Sequence, residues 1–209
     1  MTDATGRFEI QGITGRAVEL ESIKKNGYEA EPVKRAWKSS EGTFENPVIF
    51  RMWSTNIHEQ LITGEKRFSI MPDGRTYVID LTKGTINESG DGDLRVWVKR
   101  PDPIVFGQRY DWSCELDAAN GGLLQETDSF SSMFSAPSEG YVPSFQFEQK
   151  VGSGWGDSTG SKRFYLMLKN GQEYGRMTIE LYAYYNDHIS GLIEIKYAVN
   201  PNGLHILKP

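Results

Sequence analysis

The sequence predicts an all-β protein built as an antiparallel β-sandwich with almost no helix. Apolar and polar residues alternate with a period of two in nearly every apolar segment, which is typical of half-buried strands. Turn signals rich in Gly, Pro and Asn separate these segments. Aromatic residues, which suit pleated sheets, make up 12% of the 209 residues. Together these observations favour strands packed face to face.

The predicted strands follow one another with a turn between successive segments. Residues 47–53 and 66–70 come first, and Pro72-Asp-Gly74 then predicts a turn, because proline restricts φ and glycine accepts a positive φ. Asn170-Gly171 predicts a hairpin, and Asn200-Pro201-Asn-Gly203 should end the last strand. The alternating sets expected to face the core are Tyr77, Ile79 and Leu81; Leu94, Val96 and Val98; Trp112, Cys114 and Leu116; Phe164, Leu166 and Leu168; Met177, Ile179, Leu181 and Ala183; and Ile193, Ile195, Tyr197 and Val199.

Charge and cysteine content narrow the classes of function. The net charge is −5, and no basic run exceeds two residues, so the sequence predicts no nucleic-acid partner. No segment approaches the roughly 20 apolar residues of a membrane-spanning helix. No basic and apolar signal peptide is recognisable at the N-terminus. Cys114 is the single cysteine, which excludes an intrachain disulfide, and its place on an apolar strand face predicts a buried core residue.

The N-terminal run carries a resemblance to a known family. Asp3 and Gly6 predict a turn, Phe8 and Ile10 follow with apolar side chains, and Lys25-Asn-Gly-Tyr28 completes a D-x-x-G-x-F-x-I pattern ending in K-x-G-Y. This pattern resembles the latter part of a carboxypeptidase regulatory-like, transthyretin-like β-sandwich domain. The resemblance implies a spacer or display module on a secreted or cell-surface bacterial protein.

The chain departs from that family's pattern at its start. Such a domain has further strands ahead of the Asp3 turn, and Met1 leaves no room for them. Either the natural protein is longer, or Phe8 and Ile10 border an open sheet edge whose backbone groups need a partner. A strand from a neighbouring chain would complete that edge by β-augmentation, which predicts self-association and, without closure, filaments.

The remainder of the chain carries a second resemblance. It resembles uncharacterised secreted β-proteins of Verrucomicrobia- and Planctomycetes-type bacteria, which implies a secreted, cell-surface or periplasmic location. The organisation predicted is a partial regulatory-like module at residues 1–60 and a larger β-sandwich domain at residues 61–209, both immunoglobulin-like or transthyretin-like. The segments that carry the resemblance are Gly92-Asp-Leu-Arg-Val-Trp97, Tyr110-Asp-Trp-Ser113, Gly121-Gly-Leu123, Ala136-Pro-Ser-Glu-Gly-Tyr-Val-Pro-Ser144 and Asn200-Pro201-Asn-Gly203.

Aromatic residues on the outward side of the strands predict a ligand-binding face. Rings flanked by hydrogen-bonding groups stack on sugars, so an extracellular glycan is the partner expected. The alternative is that a second sheet or an adjoining domain packs on this face. A tryptophan in the glycine-rich stretch 152–156 would add a mobile platform. The residues expected to bind the ligand are Trp97, Trp155, Tyr165, Tyr182, Tyr184 and Tyr185.

Catalytic and metal-binding patterns are sparse. Asp111, Glu115 and Glu180 supply outward carboxylates of the kind that glycosidases pair, but no nucleophile elbow, His-Glu motif or phosphate loop accompanies them. Asp91 and Asp93 form a loop that offers oxygens to calcium without an EF-hand's spacing. No cofactor is otherwise expected.

These observations together predict a non-catalytic, secreted or cell-surface β-sandwich protein with a structural or adhesive role and with carbohydrate as a ligand. Two alternatives stay open. One is a self-assembling subunit completed by strand donation. The other is a carbohydrate-active hydrolase that uses acidic residues.

Overall fold

The computed structural model describes residues 17–19, 22–30, 36–38, 47–105, 107–129, 131–152, 154–185 and 189–209. Phe8 and Ile10, the residues expected at an assembly edge, lie outside these ranges. The chain divides into two compact units, Met1–Ile57 with Phe130–Ser132 and His58–Ser129 with Met133–Pro209. In the described ranges, no helix is long and apolar enough to cross a membrane.

Among its described residues, the first unit contains two short antiparallel strand pairs. β1 (Ala17–Glu19) pairs with β3 (Ala36–Lys38), and β2 (Tyr28–Ala30) pairs with β4 (Met52–Ser54). Gly27, at a φ of 76°, turns the chain into β2. Its carbonyl then accepts hydrogen bonds from the backbone N–H and the hydroxyl of Thr55, at 2.9 and 3.1 Å.

The second unit is an antiparallel sandwich of two five-stranded sheets, which confirms the predicted fold class. Its strands are β5 (Ile62–Ile70), β6 (Tyr77–Asp80), β7 (Thr85–Asn87), β8 (Leu94–Lys99), β9 (Trp112–Ala118), β10 (Gly122–Gln125), β11 (Ser144–Gln149), β12 (Lys162–Leu168), β13 (Glu173–Tyr182) and β14 (Gly191–Asn200). One sheet, here called the β13 sheet, has the order β10-β12-β13-β14-β5. The other, called the β8 sheet, has the order β11-β9-β8-β6-β7.

The core lies between the two sheets and consists of the alternating residues that the sequence predicts. Leu94, Val96 and Val98 are fully buried, whereas the outward Arg95 and Lys99 are exposed and Trp97 is half-buried. Cys114 is also fully buried, as expected, and this burial raises the pKa of its thiol to about 12. All the other predicted core sets are buried to at least nine-tenths, so the period-two pattern identified the inner face of each strand correctly.

The structure differs from the sequence predictions in detail at the turn between β12 and β13 and at the start of β5. The connection between β12 and β13 is a tight turn in which Lys169, Asn170 and Gly171 all take positive φ, at 50°, 57° and 83°. β5 begins at Ile62 instead of the predicted residue 66, because its backbone pairs with β14 as far as Val199. The sequence underestimated this strand because a glycine and three consecutive charged residues interrupt its apolar pattern.

The C-terminal segment packs on part of the outer face of the β13 sheet. Ser135 bridges to Ile206, and Leu207 donates a backbone hydrogen bond of 2.8 Å to the Phe134 carbonyl. A small second hydrophobic cluster forms beneath this contact. Its buried members are Met133, Ala136, Tyr165 and Leu207.

Candidate functional site: a cleft between three loops

Three loops of the second unit leave the sandwich at the same end. Residues 100–111 connect β8 to β9, residues 150–161 connect β11 to β12, and residues 183–190 connect β13 to β14. The strand register places these loops together. Trp112, where the first loop ends, pairs with Gln149, where the second loop begins. Tyr182 pairs with Leu192 beside the third loop, and the Ser158 bridge to Tyr182 joins the second loop to it.

The loops enclose an open cleft of about 250 Å³. Aromatic rings and charged groups share its walls, which is the composition expected of a site for a polar ligand that has apolar faces. The side chains that matter for the chemistry are Arg109, Tyr110, Trp155, Asp157 and Tyr184.

Trp155 is fixed by contacts on several sides. Its indole Nε1 donates a hydrogen bond of 2.7 Å to the Tyr110 carbonyl, and its ring packs against the main core. The Tyr110 ring meets it edge to face, with centroids 5.5 Å apart and planes at 82°. The Arg109 guanidinium lies 5.9 Å from the indole centroid, a distance at which a cation interacts favourably with the ring face.

The glycine-rich loop that carries Trp155 is also held in place. Arg109 donates a hydrogen bond of 3.0 Å to the Gly152 carbonyl, and the Trp112 indole donates one of 2.7 Å to the Gly156 carbonyl. The Asp111 carboxylate accepts from the Val151 N–H at 2.8 Å. These contacts surround the Trp155 ring and the backbone beside it, at the place where the sequence predicts a mobile platform.

The third loop contributes Tyr184 to the lining of the cleft. The Ala183 N–H donates to the Asp157 carbonyl at 2.8 Å, which ties this loop to the one carrying Trp155. Arg100, buried behind the cleft, donates to the carbonyls of Ala183 and Ile189, both at 2.8 Å. These hydrogen bonds connect the third loop to the second loop and to Arg100 at the end of β8.

Tyr110 presents an unusual polar group in the cleft wall. Its hydroxyl is inaccessible to solvent and has no hydrogen-bond partner among the described residues. Burial raises the pKa of Tyr110, and the nearby Asp157 and Tyr184 act in the same direction against the opposing influence of Arg100.

The structure brings only two of the six predicted ligand-binding residues into the cleft, Trp155 and Tyr184. Tyr185 follows Tyr184 and is 37% exposed, but it does not line the cleft. Trp97 lies on the outer face of the β8 sheet, where its indole donates to the Glu115 carboxylate at 2.9 Å. Tyr182 lies on the outer face of the β13 sheet, and burial, reinforced by Glu180, raises its pKa to about 12.

Tyr165 requires a correction. It was expected on an exposed aromatic face, but only 7% of its surface is accessible, because residues of the second hydrophobic cluster cover it. At this position the covering residues belong to the same unit, whereas the alternative expected was a second sheet or an adjoining domain. The six aromatic residues consequently do not form one continuous surface.

The predicted carboxylates are dispersed rather than paired. Glu115 and Glu180 project from the outer faces of different sheets, so the whole sandwich separates them. Glu115 accepts hydrogen bonds from Ser144 and Trp97, which lower the pKa of its carboxyl despite partial burial. Glu180 accepts from the Ser158 hydroxyl at 2.7 Å. The Asp111 carboxylate accepts the hydrogen bond from the Val151 N–H that is described above.

In the loop expected to offer oxygens to calcium, the half-buried Asp93 carboxylate binds the backbone of its own sheet. Asp93 accepts a hydrogen bond of 2.8 Å from the Leu81 N–H, and burial raises its pKa above the ordinary value. Asp91 is exposed. In the described ranges, no group of three or more His, Cys, Asp or Glu side chains has the arrangement of a metal site.

Sequence reasoning missed Arg109, Tyr110 and Asp157 as cleft residues. They lie in loops, where no periodic pattern marks the direction of a side chain. For Arg109 and Tyr110, the available signal was the Arg-Tyr-Asp-Trp run that leads into β9, which combines charged and aromatic residues at the start of a strand.

No protein-family model, curated protein or solved structure matches this chain. The class that its structure defines is an antiparallel β-sandwich with a preorganised aromatic cleft between loops at one end.

Proposed function

We propose that this chain is a non-catalytic, secreted or cell-surface β-sandwich protein with an adhesive role, and that it binds a carbohydrate in the cleft. The observation that carries this proposal is the meeting of Trp155, Tyr184, Arg109 and Asp157 in one cleft. The two resemblances of the sequence favour the extracellular setting.

The chemistry of the cleft suits a sugar. A pyranose has an apolar face of C–H groups that stacks on an indole or phenol ring, and its hydroxyls both donate and accept hydrogen bonds. Asp157 offers an acceptor and Arg109 offers donors beside the rings. The volume of about 250 Å³ lies just below the usual range of ligand sites, which favours a short stretch of a glycan over a fully enclosed molecule.

Preorganisation supports the same interpretation. The hydrogen bonds that fix Trp155 and the loop around it are already made without ligand. A binding protein with a rigid site avoids the entropic cost of ordering loops when the ligand arrives, which raises affinity without any additional contact.

A glycan array followed by calorimetric titration of the best ligand tests this proposal. We expect Tyr184→Ala and Asp157→Asn each to weaken binding by about tenfold, which is typical for loss of a stacking or charged contact in a small site. Trp97→Ala is the matched control, because Trp97 is also partly exposed but lies outside the cleft. Circular dichroism and urea unfolding verify that each variant remains folded.

Two outcomes would contradict the proposal. The first is that no glycan binds the full chain. The second is that a glycan binds but Trp97→Ala weakens it as much as the cleft variants do.

A further inference from the structure

The outermost strand of the β13 sheet has a long exposed edge. β5 spans Ile62–Ile70 and pairs with β14 along one side. Among the residues that the structure describes, no strand pairs with its other side. The side chains of Glu65 and Arg67 are 76% and 70% exposed. Such an edge presents unpaired backbone donors and acceptors, and its side chains decide which strand can join it.

The sequence of β5 is chemically self-complementary about its central residue. If a second copy lies antiparallel with Lys66 opposite Lys66, the residues that face one another are those at equal distances on either side. Opposite pairs lie on the same face of the joined sheet. The resulting pairs are Ile62 with Ile70, Thr63 with Ser69, Gly64 with Phe68 and Glu65 with Arg67, each formed twice.

This register is better matched than its neighbours. The cores of two copies lie on the same side of a joined sheet only if inward residues of one β5 pair with inward residues of the other. The alternative registers that meet this condition are therefore centred on other residues of β5. Centring the pair on Glu65 places the two Glu65 carboxylates together, and centring it on Arg67 places two guanidinium groups together. Only the Lys66 centre creates two opposite-charge pairs and uses the full strand.

The neighbouring strands extend this charge pattern. Within one chain, Arg67 pairs with Glu194 at 2.8 Å and Glu65 pairs with Lys196 at 3.3 Å. Joining two β5 strands would place each Arg67 between Glu194 and the other copy's Glu65. Each Glu65 would likewise lie between Lys196 and an arginine. Networks of this kind hold charges together more effectively than isolated surface pairs.

We propose that two copies of this chain associate through β5, antiparallel and about a twofold axis at Lys66, to form a continuous ten-stranded sheet. The partner is a second copy of this chain, and the surface is separate from the carbohydrate cleft. A closed twofold contact of this type gives a dimer and leaves no further edge of β5 for growth.

Lys66 limits the strength of this association. Lys66 occupies an inward-facing position of β5, and the two ammonium groups at the axis repel one another. An inward-pointing lysine is a common protection against uncontrolled edge pairing. The dimer should therefore be reversible and dependent on concentration, and Lys66→Ala should tighten it.

Charge reversal tests the contact. Light scattering of the full chain across about three decades of concentration should show the mass rising from 23.6 kDa towards twice that value. Arg67→Glu or Glu65→Arg should weaken association by about tenfold or more, because each places like charges opposite one another. The double variant should recover a large part of the loss. Its recovery will be incomplete, because Glu194 and Lys196 then face charges of their own sign.

Cross-linking tests the register independently. Lys66→Cys places two thiols opposite each other at the axis, at a Cβ separation of about 4.5–5.5 Å, close enough for a disulfide after small adjustment. Mild oxidation should then yield a covalent dimer, and the buried Cys114 should not compete. Thr63→Cys is the matched control, because its two copies would lie about 20 Å apart.

The proposal is overturned by a monomeric chain across the whole range, or by association that Arg67→Glu leaves unchanged. It is equally overturned if Thr63→Cys cross-links as readily as Lys66→Cys. Circular dichroism and thermal unfolding of each variant separate loss of association from loss of fold.

Discussion

The Arg100 guanidinium Nε donates a hydrogen bond of 2.8 Å to the Ala183 carbonyl and thereby joins the end of the β8 sheet to the end of the β13 sheet. The side chain is only 1% exposed. The same guanidinium also donates to the carbonyls of Pro101, at 2.9 Å, and Ile189, at 2.8 Å. One buried arginine thus satisfies several loop carbonyls behind the cleft.

Arg100→Lys should lower the free energy of unfolding by about 2–4 kcal/mol, because a lysine cannot reproduce the planar array of donors and leaves buried carbonyls unsatisfied. Urea unfolding followed by tryptophan fluorescence measures this change. Arg95→Lys, on the exposed face of β8, is the control and should change stability by about 0.5 kcal/mol or less. Equal effects at both positions would contradict the bridging role of Arg100.

Tyr110→Phe should leave the free energy of unfolding unchanged or raise it slightly, because the hydroxyl it removes is buried and has no partner among the described residues. Tyr77→Phe provides the contrast. The Tyr77 hydroxyl accepts a hydrogen bond of 2.8 Å from the Met71 N–H, so its loss should cost about 1–2 kcal/mol. Chemical denaturation of the two variants under identical conditions compares them, and a larger loss for Tyr110→Phe would refute the assignment.

Gly121→Ala should prevent normal folding or lower the free energy of unfolding by about 3 kcal/mol or more. The added Cβ would overlap the Met167 carbonyl oxygen, and relieving this overlap requires a shift of the β12 backbone. Gly156→Ala is the matched substitution, since its nearest contact would be an ordinary 3.8 Å to the Ser158 carbonyl oxygen. Soluble yield and melting temperature measure both. Comparable behaviour of the two variants would show that strand β12 can move away from Gly121.

Asp93→Asn should stabilise the protein at neutral pH, because burial raises the pKa of Asp93 above its ordinary 3.8 and makes its charged form costly. A raised folded-state pKa favours the fold fully below the unfolded value and loses that contribution as pH rises through the folded value. The benefit of the amide should therefore be small at low pH and should grow as pH rises. It should reach about 1 kcal/mol.

Asp80→Asn is the control of opposite sign. Burial acts against the Asp80 charge, but hydrogen bonds from the Lys83 side chain and backbone outweigh it and lower the pKa. A lowered pKa stabilises the fold above the unfolded value, and this contribution disappears on acidification. Asp80→Asn should accordingly lose stability at neutral pH and approach the parent protein at low pH. Unfolding experiments across that range distinguish the two carboxylates.

The inner face of each strand could be predicted from the sequence because burial between two sheets imposes an alternation of side chains. Phe164, Leu166 and Leu168 show this directly, since each is buried as its spacing requires. The burial of residues on the outer faces of the sheets did not follow from the alternation. Tyr165 and Tyr182 occupy outward positions in the same sheet, yet one is covered by the C-terminal segment and the other is only partly buried.

Core composition and the Asn170-Gly171 hairpin were thus determined by the sequence alone, because each depends on neighbours a few residues away. The bounds of some strands were not, since the strand predicted at residues 47–53 is limited to Met52–Ser54. The cleft was decided only by the tertiary structure. Arg109, Trp155 and Tyr184 belong to three separate loops, and they meet because the pairing of β9 with β11 and of β13 with β14 brings those loops to one end of the sandwich. Contacts between residues so far apart in the chain leave no local pattern, so only the folded arrangement of the two sheets could reveal them.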